Sequence, residues 1–428
     1  MVVRVYLKQA WNLMKQNPLF STLYIVGTGI SIVMTMVIAI VYYVRLAPVY
    51  PETNRMRTLV VKSAKMTNDE STHSANISYA MLKDWFYSLE SAEVSTGVSG
   101  TSYARVTNDK EEIPTYARYT DENFFRVFPL VFLEGKPFTE ADRRSGIHNV
   151  VLTDSYAQQL FGTTKGVVGK NFLMDYTNVK VVGVVKSGSF LTPDSYAQVY
   201  LPHSCREGYD DEGSHWALGG YRVYILMKES KSVTDVQDEV LELVRKFNVS
   251  DMGDGWKLDL VGQPELYWHS TFRLWSNVAV DWGRVIWMFV GIFMVLLFVP
   301  AFNLSGMISA RMERQLPDLG IRKAFGASRR RLLVQIIWEN LLLTGLGTLL
   351  GLVIAWIVLA LSGYEIFSLF PKFPPKGVNL GMGIDMFFAP LIFVAAALFC
   401  LLLNLISALI PAWNALRHPI VESLNEQK

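Results

Sequence analysis

Residues 310–331 read ARMERQLPDLGIRKAFGASRRR, a loop between two apolar runs that holds seven Lys or Arg against two acids. Short loops this basic stay on the cytoplasmic side of a bilayer, so the stretch orients whatever apolar helices flank it. Pro317 and Gly326 punctuate it. That build suits a docking element.

Outward from the loop the chain is apolar in blocks, and hydrophobic residues make up 51% of its 428 positions. Residues 20–44, 285–304 and 386–410 carry no charge, and residues 332–361 carry only Glu339. Each run reaches the roughly 20 residues a helix needs to cross about 30 Å of hydrocarbon. Arg4, Lys8 and Lys15 precede the first run without an acid, and Arg417 follows the last, which places both ends in the cytoplasm with the loop. The expected order is therefore a cytoplasmic amphipathic helix over 1–19, transmembrane helices over 20–44, 285–304, 332–361 and 386–410, and a cytoplasmic tail over 411–428. Residues 45–284 form an outer domain with its stalk, 305–331 a cytoplasmic loop and 362–385 an outer loop. A cleaved signal peptide fits the start less well, because its apolar core is only about 7–15 residues long. On this topology a cysteine at Ser328 should resist an impermeant thiol reagent while one at Ser95 should react.

The outer segment has the mixed order of an α+β domain. Residues 58–62, 150–153, 179–185 and 223–227 read as strands, and residues 78–89, 154–161 and 233–247 as helices, the middle one closed by Gly162. Trp268, Trp275 and Trp282 recur at intervals of seven, which on a helix forms one stripe: an aromatic belt at Trp282 and a stalk helix at Trp268. At the other end Val3, Leu7, Ala10, Trp11 and Met14 share a helical face suited to the membrane surface.

Catalytic motifs are missing. GTTKGVVGKN lacks the first glycine of a phosphate-binding loop and has Asn171 where Ser or Thr must meet magnesium. The six histidines show no metal spacing, and His203 with Cys205 is too small a set for zinc. Cys205 lies in the outer domain and Cys400 in a span, so no disulfide between them is expected. No nucleophile elbow stands out, and a tethered enzyme has only dispersed carboxylates in its favour. Glu339 is the intramembrane charge, near enough to the inner interface either to pair with the loop arginines or to serve transport. Gly347 and Gly351, with Gly345 nearby, offer a small face for close helix packing.

Four collinear stretches resemble the MacB/FtsX-like permeases, a family of ABC transporter subunits with four spans. They are the opening LKQAWNLMKQNPLFSTLYIVGTGISI, the outer YTDENFFRVFPLVFLEGKPFTEAD with VVLTDSYAQQLFG and VKVVGVV, the GIRKAFGASRRRLLVQIIWENLLLTGLGTLLGL segment, and PAWNALRHPIVESL near the end. The resemblance implies an α-helical membrane protein with four transmembrane helices and a large α+β periplasmic domain of two lobes between the first and second. It places the chain in the bacterial inner membrane. It further implies a coupling helix seated in an ATPase, matched here by Asp318, Leu319, Gly320, Ile321, Arg322, Lys323, Ala324 and Phe325, with Asp318 as N-cap and Gly326 as stop. The inserted lobe would run from Asn123 to about residue 201.

By the same resemblance, ATP and magnesium bind a separate ABC ATPase chain and this chain binds no cofactor. A second permease, identical or different, pairs with it, and a periplasmic adaptor, an outer-membrane duct and lipids are further partners; no nucleic acid is expected. The implied activity is mechanotransmission, ATP-driven movement passed to the outer domain for export of an amphipathic or lipidic cargo. The alternatives are a regulator of a cell-wall hydrolase, as in FtsX-type relatives, and a lipoprotein-release permease.

Overall fold

The computed structural model describes residues 8, 10–12, 14–100, 102–108, 111–210, 216–250, 255–296, 321–322, 324–368 and 390–417. Among these, one compact unit is built from helices that precede Val44 or follow Trp282, and the other spans Val44–Trp282.

In the helical unit, Pro18–Leu46 and Arg329–Leu361 are long and apolar enough to cross a membrane. The second of these continues as one helix to Ser368, past the expected end of the run at 361, because Gly363 alone does not break a helix already running. A shorter apolar helix, Trp282–Leu296, covers the first part of the expected run 285–304, the rest of which lies outside the described residues. Helix Pro390–Arg417 covers most of the run 386–410. Near the start, Ala10 is buried whereas Trp11 is exposed with Lys15 Nζ 5.7 Å above its ring. Val3, Arg4 and Leu7 lie outside the described residues.

The outer unit is a mixed sheet with helices packed on it. Its strands begin with β1 Thr58–Val61, β2 Ala64–Thr67, β3 Thr72–Ile77, β4 Ala92–Ser99 and β5 Ser102–Asn108. They continue with β6 Glu111–Thr120, β7 Phe132–Gly135, β8 Asn149–Thr153, β9 Asn171–Met174 and β10 Thr177–Val185. The last are β11 Val199–Pro202, β12 Leu218–Gly219, β13 Tyr221–Met227, β14 Lys257–Asp259 and β15 Glu265–Leu266. Their pairing runs β11-β8-β10-β9-β5-β6-β4-β13-β3-β2-β14, with β1 on β13.

Helices form in the three expected stretches, although the one expected over 78–89 ends at Asp84 and is followed only by the 3₁₀ turn Phe86–Ser88. Ser78 accepts the Met81 N–H at 3.0 Å to open Tyr79–Asp84, and Ser232 with Asp235 makes a reciprocal capping box on Val233–Val249. The latter helix buries Val236, Val240, Val244 and Phe247, one side of the helix, against Leu59, Leu82 and Val223. Asp154–Phe161 ends at Gly162, which adopts a left-handed φ of 70°.

Apolar clusters form at both ends of the ladder, with a third between them. One gathers β1, β3, β13 and helix Val233–Val249; another gathers Val106, Val150, Leu152, Tyr156 and Val181; the middle one holds Phe124, Phe128 and Tyr224. The expected start of the inserted lobe at Asn123 is corrected upstream. Strands β5 and β6 are tied to the expected stretch, because β6 pairs parallel with β11, β5 pairs antiparallel with β9, and Ala104, Val106 and Ala117 share an apolar cluster with Val150, Leu152 and Val181.

A second correction concerns the Trp stripe. Residues 262–281 form no long helix; only the single 3₁₀ turn His269–Phe272 is helical before the chain folds back. Arg273 pins the fold, donating to the carbonyls of Val278 at 2.6 Å and Val261 at 2.9 Å and pairing with Glu265. Trp268 and Trp282 meet with ring centroids 6.4 Å apart, whereas Trp275 points outward.

Candidate functional site

Two places in the helical unit collect the residues singled out from the sequence. The first is the basic turn that leads into helix Arg329–Ser368. Asp318, Leu319, Gly320 and Lys323 lie outside the described residues. Ile321, Arg322 and Ala324 are helical, and Gly326 ends the turn with a left-handed φ of 87°. Beyond it the Ala327 N–H reaches the Arg322 carbonyl at 2.9 Å while the Phe325 N–H bonds Ile321 at 3.1 Å. That is the closure by which a glycine satisfies carbonyls left over at a helix end.

Ser328 then opens the long helix, its carbonyl accepting from Arg331 at 3.0 Å and Leu332 at 3.2 Å. Arg322 Nη1 donates to Gln335 Oε1 at 3.0 Å, which ties the turn to the helix it precedes. Arg329, Arg330 and Arg331 sit in the first helical turn, the end where the peptide dipole disfavours cations. Helix stability therefore does not explain them. With Phe325 88% exposed and Ile321 47% exposed, the turn shows an apolar tip that lies in sequence between Arg322 and the Arg329–Arg331 run.

The second place is a seam between two helices. On Arg329–Ser368 the buried positions are Leu332, Ile336, Glu339, Asn340, Leu343, Thr344, Thr348, Ala355 and Leu359, a stripe at helical spacing. Gly347 and Gly351 sit on it. A Cβ at Gly347 would stand 2.7 Å from Thr28 Cβ, and one at Gly351 would stand 2.7 Å from the Gly29 carbonyl oxygen and 2.9 Å from Ile32 Cβ. The two backbones touch there, which only glycine permits. Tyr24 and Thr344 share a hydrogen bond of 3.1 Å within the seam. Glu339, 3% exposed, lies on the same buried stripe. The outward positions Leu23, Val26, Ile30 and Met34 of the first helix, and Leu349, Val353 and Leu361 of the long one, are exposed and apolar.

Gly29 and Tyr24 were missed from the sequence, although the small residues of GTGIS inside an apolar run were the available signal. The buried charges of the outer unit left no local pattern at all.

In the outer unit His203 is fully buried, with Nε2 3.5 Å from Asp121 Oδ2. Burial pushes the His203 imidazole below its ordinary 6.5. Burial alone would raise Asp121, but His203, the Gly97 N–H at 2.8 Å and the Tyr87 hydroxyl at 2.7 Å hold it below 3.8. Unfolding frees both groups to take up protons, so their contribution is present above about pH 6.5 and lost as pH falls, first through His203 and then, below about 3.8, through Asp121. Thermal unfolding of the full chain should thus decline on acidification from about pH 6.5, and His203→Gln should flatten the first part of that decline. An unchanged slope in the variant would refute the assignment.

Burial also pushes the Cys205 thiol up to about 12, and its Sγ faces the Ile147 carbonyl at 3.8 Å. A thiol titrating there is only about 0.01% thiolate at pH 8, so maleimide labelling of Cys205 in folded protein should be at least tenfold slower than after denaturation. Equal rates would contradict this. Among the described residues no three His, Cys, Asp or Glu side chains converge as metal ligands.

A family model for a MacB-like periplasmic core domain matches residues 20–243, and one for an FtsX-like permease C-terminal region matches residues 277–420. The macrolide export ATP-binding/permease protein MacB of Escherichia coli O157:H7 is 21% identical over 326 residues, covering 75% of this chain and 45% of the relative. An uncharacterized ABC transporter permease of Bacillus subtilis strain 168, YvrN, is 23% identical over 321 residues, 71% of this chain and 68% of the relative. The chain spans less than half the length of the macrolide-export relatives it matches. A crystal structure of the periplasmic region of MacB from Actinobacillus actinomycetemcomitans aligns with 46% of this chain and 88% of its own at 16% identity, with a TM-score of 0.34.

Proposed function

The chain belongs to the MacB/FtsX-like ABC transporter permeases, and on that premise we propose that it couples ATP hydrolysis on a docked ATPase to movement of its periplasmic domain. The observation that carries this reading is the turn at Ile321–Gly326. It displays an aromatic tip among arginines that the adjoining helix would be more stable without. Such a tip costs solvation unless a partner covers it, and an exposed aromatic ringed by polar groups is how binding anchors are built. In this proposal ATP and magnesium bind the docked ATPase. The cargo we propose is amphipathic or lipidic and is exported from the periplasmic side. Support for it comes from the relatives named for macrolide export.

The same proposal carries the topology: four spans, both termini and the basic turn in the cytoplasm of a bacterial cell, and residues between the first two spans in the periplasm. Labelling of intact cells tests it. Ser95, the position chosen from sequence for the outer label, is only 3% exposed within β4, so the outer cysteine belongs at Glu70, which is exposed. A cysteine at Glu70 should react with an impermeant maleimide and one at Ser328 should not until the membrane is opened. The reverse pattern would overturn the orientation.

A further inference from the structure

The chain that leaves helix Pro18–Leu46 is held against the connection from β10 to β11. Arg55, buried, turns back and donates from Nη1 to the carbonyls of Val44 and Ala47, each at 2.9 Å. The Val44 carbonyl is among the last four of the helix, which have no acceptor role inside it. The Arg55 guanidinium is paired with Glu52, itself buried, and the other oxygen of Glu52 accepts the Ser195 hydroxyl at 2.8 Å.

Ser195 lies in the connection from β10 to β11, which is buried along most of its length. Connections normally stay on the surface because their backbone groups need water. Here protein supplies the partners. Arg118 of β6, buried, donates to the carbonyls of Pro193 at 2.8 Å and Tyr196 at 3.1 Å. Asp194 takes Lys62 Nζ at 3.3 Å, from the end of β1, and Arg222 Nη1 at 2.9 Å, from β13. Tyr50 hydroxyl donates to the Lys186 carbonyl at 2.9 Å and accepts the Val131 N–H at 3.1 Å. One buried connection thus receives the helix exit through Glu52, the base strands through Lys62 and Arg222, and the inserted lobe through Arg118.

Buried ion pairs add little net stability, since desolvation offsets their attraction. Their directionality is what apolar packing lacks, because a satisfied polar network accepts one geometry. We propose that the Glu52–Ser195 and Lys62/Arg222–Asp194 contacts form the joint by which displacement at the end of helix Pro18–Leu46 turns the inserted lobe as a rigid piece. The inference rests on the coupling function proposed above. Glu52, Asp194 and Ser195 are positioning residues in it and touch no cargo.

Spin labels on cysteines at Lys165, exposed in the inserted lobe, and Asp238, exposed on helix Val233–Val249, would report the lobe geometry. The measurement uses the full chain in lipid nanodiscs with its ATPase, with Cys205 and Cys400 replaced, with and without a non-hydrolysable ATP analogue and magnesium. The unaltered joint should give one narrow distance distribution that shifts with nucleotide. Asp194→Asn should broaden it in both states and lose the shift, and Ser195→Ala, which removes a hydroxyl and no charge, should broaden it less. Ser195→Ala decides the matter if Asp194→Asn does not fold. Narrow distributions that still shift in the variants would overturn the joint. Variants that broaden while the unaltered chain shows no nucleotide shift would leave the joint standing and refute the coupling function instead.

Discussion

Gly351→Leu is expected to pull apart the seam between helices Pro18–Leu46 and Arg329–Ser368, whereas Gly345→Leu, earlier on the same helix, is expected to do almost nothing. A Cβ at Gly351 would lie 2.7 Å from the Gly29 carbonyl oxygen, a backbone atom that no rotamer change can move aside. The helices must separate or slide. Overpacking of this kind costs roughly 1–3 kcal/mol, and more when, as here, the obstacle is backbone. At Gly345 nothing stands within 4 Å of the added carbon, and a substitution away from any such feature usually stays within about ±0.5 kcal/mol. Thermal unfolding of the two variants in the same detergent separates them. If both melted together with the unaltered chain, the close crossing would be wrong; if both lost stability equally, added bulk anywhere on this helix rather than the contact at Gly29 would be responsible.

Phe325→Ala makes the opposite dissociation. With Phe325 almost wholly exposed, its truncation should leave the melting temperature unchanged. Affinity for the ATPase should fall, because a central aromatic anchor is worth about 2 kcal/mol or more, which is roughly 30-fold in Kd. Titration of the purified ATPase against nanodiscs holding the variant measures this directly. An affinity within about twofold of the unaltered chain would remove the turn from the docking surface.

How far these features could be read beforehand depended on the range of the interactions that create them. Gly326 was legible as a stop because a helix end needs a residue that tolerates positive φ, a demand met locally. Gly162 was legible for the same reason, and the apolar runs at β1, β8, β10 and β13 were legible from their local pattern. Gly347 and Gly351 announced a close contact but not with what; Gly29 enters from more than three hundred residues away. The Trp repeat misled because periodicity alone cannot register that Arg273 gathers the carbonyls of Val261 and Val278 and folds the segment back. The joint at Asp194 was invisible, since Glu52, Lys62, Arg118 and Arg222 come from four separate segments and become neighbours only through the sheet order. Likewise β5 and β6 had no local strand signal strong enough to be read, and only the pairing of β6 with β11 and of β5 with β9 ties them to the later strands.

The central claim is that this permease works with an ATPase docked on its basic turn. Gentle extraction of the chain from its native membrane, followed by mass spectrometry of what comes with it, tests that most directly when run in parallel on Phe325→Ala. The account predicts an ABC ATPase recovered with the unaltered chain and depleted with the variant, whatever adaptor, duct or wall hydrolase accompanies it on the periplasmic side. Recovery of no ATPase with the unaltered chain, or equal recovery with both, would contradict it.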